Sequence, residues 1–179
     1  MAKVVLQNTS FDTQVGQVRS SAFLLNMNEV FEKFVWTAMR EVLKVRLHDF
    51  PLNAQGRSLH LDVDHRLSIK PDLAWWKGSH CIFAGDIKYK DLDAEPARER
   101  DMSQLVAYMS STNLKAGLLV YASKDAIHER YRLRHSDADV RVMGLGLDQE
   151  PDQVLRNIQD LANTASELAD SGLMCLDAP

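Results

Sequence analysis

Ile69-Lys70-Pro71-Asp72-Leu73 and, fourteen residues on, Asp86-Ile87-Lys88-Tyr89-Lys90 decide how this chain is read. Side chains alternate faces along an extended strand, so Asp86 and Lys88 point one way and Ile87 and Tyr89 the other. Cys81-Ile82-Phe83-Ala84-Gly85 is apolar on both faces, the mark of a buried central strand, and charge appears abruptly at Asp86. Leu73-Ala74-Trp75-Trp76 reads as a second apolar strand, with Lys77-Gly78-Ser79 as the hairpin turn between the two. Strands joined that tightly bring Asp72 and Asp86 to the same end of a sheet. Two carboxylates are hard oxygen ligands suited to Mg²⁺, and a lysine beside them can orient or help deprotonate a water on the ion. Taken alone the signal is modest, because acidic-x-Lys occurs on many exposed strands and Pro-Asp opens many turns. The burial of the flanking strands is what sharpens it.

Two helices agree with this reading. Met102, Leu105, Val106 and Met109 form an apolar stripe, and Gln104 and Tyr108, four apart, share one flank of that helix. Upstream, a long amphipathic helix is predicted from about Ser20 to His48, with Met27, Val30, Phe31, Phe34, Val35, Ala38 and Val42 at helical spacing. Glu29 lies opposite its apolar centre and Glu32 at its flank. A solvated glutamate pairing along the helix accounts for Glu32 as well as a role at the site does.

A Pro-Asp strand, an acidic-x-Lys strand and a Gln-x-x-x-Tyr helix, in that order, resemble the PD-(D/E)XK nuclease superfamily. Within it the chain is similar to the McrC family, the nuclease subunit of the McrBC system that restricts DNA carrying 5-methylcytosine. The similarity runs from Ala22 to Tyr121. It takes in Asn26-Met27-Asn28-Glu29-Val30-Phe31-Glu32, Gln55-Gly56, the two strand motifs, the Gln104 helix and Gly117-Leu118-Leu119-Val120-Tyr121. The resemblance implies a restriction-endonuclease-like α/β fold, a central mixed sheet flanked by helices with an αβββαβ core. It implies metal ligation by Asp72, Asp86, the main-chain carbonyl of Ile87 and Glu32, a catalytic Lys88, and Gln104 and Tyr108 beside the site. The implied cofactor is Mg²⁺, with Mn²⁺ able to substitute. The implied partners are DNA and a GTP-hydrolysing McrB-like motor. McrC proteins are longer, so a truncated or standalone nuclease module is expected.

The chain has 179 residues, enough for one ordinary domain with a proper core. Residues 1–19 read as an N-terminal strip, 20–170 as the nuclease domain and 171–179 as a flexible tail. Apolar residues make up 45% and charged residues 26%, as in soluble globular proteins. There is no apolar run approaching the roughly 20 residues of a membrane span and no secretory leader, so no membrane association and a cytoplasmic location are expected. Cys81 and Cys175 have no paired spacing; Cys81 reads as a buried strand thiol.

A net charge of −4 sets this chain apart from proteins that grip DNA unaided, which display a clear basic surface. Two basic clusters stand out, Ala97-Arg98-Glu99-Arg100 and His128 to His135. In the second, Arg130, Arg132 and Arg134 alternate on a strand that either tracks a phosphate backbone or guards a sheet edge by charge. His60-Leu61-Asp62-Val63-Asp64-His65 looks like a metal cluster. Strand alternation would, however, put His65 opposite His60, Asp62 and Asp64, so a half-exposed strand is expected. Met143-Gly144-Leu145-Gly146 lacks the third glycine of a dinucleotide loop and reads as a strand. Strands are expected near 59–64, 67–75 and 80–89, a mobile loop over 91–100, strands at 117–121 and 140–147, and a last helix opened by Pro151 with Val154, Leu155, Ile158 and Leu161 inward. The alternatives to an McrC-type nuclease are a resolvase-like or RecB-like enzyme with the same site, and a non-catalytic assembly subunit that keeps the fold.

Overall fold

A computed structural model describes residues 10–15, 18–23, 26–44, 59–90 and 95–176. The elements in chain order are β1 (Ser10–Val15), β2 (Val18–Phe23), α1 (Met27–Lys44), β3 (Leu59–His60), β4 (Ser68–Ile69), β5 (Leu73–Lys77), β6 (His80–Lys88), α2 (Glu95–Thr112), β7 (Ala116–Ser123), β8 (Ile127–Arg132), β9 (Asp139–Gly146) and α3 (Pro151–Leu176). β1 and β2 pair as an antiparallel hairpin. The main sheet is mixed and five-stranded, in the order β5-β6-β7-β9-β8. β6, β7 and β9 run parallel, and β5 and β8 close the two edges antiparallel.

Helices cover both faces. α1 and α3 lie on one, where Phe31, Val35, Met39 and Leu43 join Leu73, Trp75, Phe83, Ile87, Leu118, Val120, Ile158, Leu161 and Leu168 in a wholly apolar cluster. The spacing of four along α1 places its buried side chains one above another. Each such side chain contributes about 1.5–3 kcal/mol of transfer free energy. α2 lies on the other face over Ala74, Ala84, Leu119, Tyr121, Val140 and Val142. At Gly172 of α3 an added Cβ would stand 2.1 Å from the main-chain oxygen of Ile82. Only glycine permits that approach of helix to strand.

The β5–β6 hairpin turns through Gly78 and Ser79, with Lys77 opposite His80 and Gly78 at φ 59°. The register then slips. Trp76 faces Cys81 but Trp75 faces Phe83, which leaves Ile82 as an extra residue on β6. This bulge explains why the strand reads as apolar on both faces: Ile82 and Phe83 both belong to the α1/α3 cluster, while Cys81 and Ala84 belong to the α2 side.

Several boundaries differ from the sequence reading. Residues 18–23 are a strand, and α1 starts at Met27, where Asn26 bonds the side chain of Glu29 (3.0 Å) and accepts the amide of Val30 through its main-chain oxygen (3.0 Å). The Asn-x-x-Glu spacing is a helix start in the manner of a capping box. Met27 and Val30, expected in the apolar stripe, are exposed, and so is Leu155 at the start of α3. The strand expected over 59–64 ends at His60. Asp62 accepts the amides of Arg66 (3.1 Å) and Leu67 (2.6 Å), His65 adopts a left-handed φ of 59°, and the chain turns back so that β3 pairs with β4 in a small sheet of its own. His60 and His65 therefore face each other, Nδ1 to Nδ1 at 3.1 Å, where alternation had set them apart. α2 begins at Glu95, inside the segment expected as a mobile loop, with Pro96 in its first turn, where a missing N–H is harmless. α3 continues to Leu176, past the start of the expected tail at 171, because Gly172 is buried against β6. Gln55, Gly56 and Cys175 lie among residues whose surroundings are not described. Among the described residues no helix is long and apolar enough to cross a membrane.

Candidate active site

Leu73 pairs with Gly85, so Asp72 and Asp86, one step further along, come side by side where β5 and β6 leave the core. Asp72 is fixed by the amide of Ile87, which donates to its Oδ2 at 2.9 Å. Asp86 is 1% exposed, with neither carboxylate oxygen in a hydrogen bond among the described residues. Its partner is ionic: the Lys88 ammonium rests against Oδ2. Burial pushes the Asp86 carboxyl up to about 7; the neighbouring Asp72 charge adds to this, and Lys88 opposes it. For Lys88 burial acts downward, but its contact with Asp86 and the field of Asp72 outweigh it and the ammonium is held above its usual range.

α2 braces both arms of this pair. Tyr108, buried, donates its hydroxyl to the main-chain oxygen of Lys70 at 3.0 Å and receives Gln104 Nε2 at 2.5 Å. The lysine carbonyl just before Pro71-Asp72 is thereby tied to the helix. Burial, then the charge of Asp86, push the Tyr108 phenol up to about 12, so it stays a donor at neutral pH. Two helical turns earlier, Asp101 is 2% exposed and takes Lys90 Nζ on both oxygens (2.7 and 2.9 Å) and the Tyr121 hydroxyl (2.9 Å). Lys90 follows Lys88 on the same side of the chain, and Asp101 draws it away from Asp86. Sequence reading passed over Asp101. The available signal was an acid on the inner flank of α2, three residues before Gln104.

α1 reaches the site through Phe31, whose ring centroid lies 5.8 Å from that of Tyr89. Glu32 is exposed beside it; partial burial and then the Asp72 charge raise its pKa, while Lys70 and Lys88 oppose. The structure thus brings Asp72, Asp86 and Lys88 into one cluster, sets Tyr108 and Gln104 behind the Asp72 arm, and leaves Glu32 at the margin. Among the described residues no three His, Cys, Asp or Glu side chains form a ready metal cage. Glu32 feels the field of Asp72. The donor set still fits a hard dication that keeps most of its waters: two adjacent carboxylates, one of them buried against the Lys88 ammonium. Such an ion would be held by Asp72 and Asp86.

A mixed sheet with helices on both faces and an acidic pair at the mouth of its second strand defines an α/β protein with a charged site at the strand ends. The sequence matches the family described as "McrBC 5-methylcytosine restriction system component" over residues 1–122, more than half of the chain, and the protein belongs to that family. Among solved structures, a chain of the "Refined half-complex from tetradecameric assembly of Thermococcus gammatolerans McrB AAA+ hexamers with bound McrC" matches with a TM-score of 0.55 and 18% identity, over 80% of this chain and 34% of that one. At that identity the likeness is one of fold, and the present chain spans about a third of its neighbour's length. No curated protein matches.

Proposed function

We propose that this chain is a Mg²⁺-dependent DNA endonuclease with a PD-(D/E)XK site, the cleavage component of a GTP-dependent restriction system directed at modified cytosine. The observation that carries the reading is the convergence of Asp72, Asp86 and Lys88 on one small volume within an McrBC-family chain. Mg²⁺, or Mn²⁺ in its place, would supply Lewis acidity toward a phosphodiester. Asp72 and Asp86 bind the ion, and the Ile87 amide holds Asp72 in the orientation this needs. The lysine ammonium opposes the upward shift that burial imposes on Asp86, and beside a bound cation it would be placed to orient a water. Tyr108 and Gln104 act through the Lys70 carbonyl and are positioning residues. Glu32 adds negative potential from the rim. The neighbour described as McrB hexamers with bound McrC supports a GTP-hydrolysing motor of McrB type as the partner that delivers DNA. The net charge of −4 suits a nuclease that depends on delivery. Plasmid cleavage with Mg²⁺, with and without the GTPase partner, tests the proposal. Cleavage by the parent and none by Asp86→Asn is the expected result, and equal cleavage by both overturns it.

A further inference from the structure

At the far edge of the sheet, β8, β9 and α3 enclose a cavity of about 130 Å³ lined by His128, Arg130, Arg141 and Thr164 among others. Residues that pair across a ladder share a face, so Arg130, opposite Arg141, and His128, opposite Met143, all point toward α3. Arg141 Nε is buried with no hydrogen-bond partner, and the guanidinium makes no ion pair among the described residues. Asp139 pairs with Arg130 through Oδ2 and lies in the field of Arg141, and Asp137 pairs with Arg132 at 3.4 Å. Glu129 contributes to the cavity wall, but its carboxylate lies on the opposite face with Arg98 and Tyr131. Three arginines thus stand against two aspartates, and Arg141, half-buried, is the one of the three with no ion pair among the described residues. A buried Nε–H without an acceptor is unfavourable, and the planar guanidinium fork matches the oxygens of a phosphate.

We propose that this cavity is a phosphate-binding pocket, and that the phosphate it takes belongs to a nucleic-acid backbone. Arg130 and Arg132 continue the basic face along the exposed edge strand at two-residue intervals of about 6.6 Å, so a strand seated on Arg141 would meet further cations in line. The pocket lies beyond the residues 1–122 matched by the family. Only the choice of nucleic acid as the phosphate's source rests on the nuclease reading.

The test uses the full chain with two variants, Arg141→Gln and Thr164→Glu. The second sets a carboxylate at the pocket from α3 and leaves Arg141 in place, and folding of both is checked by circular dichroism. Binding of a fluorescent duplex is followed by polarisation across a salt series, and thermal stability is measured with and without inorganic phosphate. Both variants are expected to bind duplex several-fold more weakly, with a log–log salt slope shallower by about 0.9 for one lost phosphate contact. The rise in Tm caused by phosphate in the parent should vanish. Folded variants with parental affinity and slope overturn the proposal. Loss of the phosphate effect without loss of duplex binding overturns its nucleic-acid source. Cleavage is scored separately on the parent: no cleavage alongside weakened duplex binding by Arg141→Gln would leave the pocket standing and remove the nuclease reading.

Discussion

The two faces of the main sheet are built to different rules. Against α1 and α3 the sheet presents Leu73, Trp75, Phe83, Ile87, Leu118 and Val120 in an apolar cluster, with Asn157 the buried polar residue of those helices among the described residues. Against α2 it presents Asp86, Lys88 and Tyr121, and α2 answers with Asp101, Gln104 and Tyr108. Both buried carboxylates of the described chain lie on this second side. The first face holds the protein together. The second holds charged groups in place at a cost in stability that burial on the first face offsets. A polar face of this kind is the expected location for chemistry.

The sharpest way to break the comparison is to remove charge from the α2 face. Asp86→Asn should reduce Mg²⁺-dependent plasmid cleavage below detection while circular dichroism stays native, and Lys88→Ala should lower it by about 10²–10⁴-fold with Mg²⁺ affinity still measurable by calorimetry. Wild-type cleavage by Lys88→Ala would mean that lysine has no part in activating the nucleophile.

The apolar face should respond in stability alone. Gly172→Ala drives a methyl into the Ile82 carbonyl and should destabilise by about 1–3 kcal/mol in urea unfolding. Retained stability would show that α3 can slide away from β6. Asp101→Asn weakens the bidentate clamp on Lys90 and should cost about 1–2 kcal/mol, after allowance for the partial exposure of Lys90. Unlike Gly172→Ala, it should also lower the rate of cleavage by the folded fraction, because Lys90 is then free to compete for Asp86.

A pH series distinguishes the faces without a mutation on the apolar side. The Asp86 carboxyl is raised above its ordinary value to about 7, so its protonated form favours the fold. That contribution is complete below the ordinary carboxylate range and is lost as pH rises toward and through 7. In EDTA the parent's Tm should fall between pH 5 and 7, and Asp86→Asn should flatten that decline. A parent Tm that rises over the same interval would contradict the assigned direction. The smallest effect belongs to the helix start far from both clusters: Asn26→Ala should cost about 1 kcal/mol, read as a small shift in urea midpoint with cleavage unchanged.

Much of this division was legible in the sequence. Strand alternation put Asp86 with Lys88 and against Ile87, and the hairpin residues put Asp72 beside Asp86, because both inferences rest on local geometry. The order of helix, strands, helix and strand followed from periodicity. Other features depended on contacts that periodicity does not encode. The loop from 61 to 67 looked like a strand because its charges alternate, whereas the carboxylate of Asp62 captures two amides and folds the segment back. Met27 looked like part of the apolar stripe of a helix begun near Ser20, yet the helix starts at Met27 beside the Asn26–Glu29 bond and leaves Met27 exposed. Asp101 was passed over because its partners, Lys90 just after β6 and Tyr121 on β7, are not its neighbours in sequence.

The extra residue at Ile82 acts on the site as a phase shift. Counting alternately from Cys81, Asp86 would fall in with Ile82 and Ala84, on the side that carries Phe31 and Leu161; the bulge moves every later residue of β6 by one step, and the carboxylate emerges toward α2 instead. The chemistry at one end of the strand is thus framed by a single insertion near the other. Loss of that residue would set two demands in opposition, the pairing of the hairpin and the pairing with β7, and one would have to yield. Either Asp86 and Lys88 turn into the apolar layer or the tryptophans of β5 exchange sides.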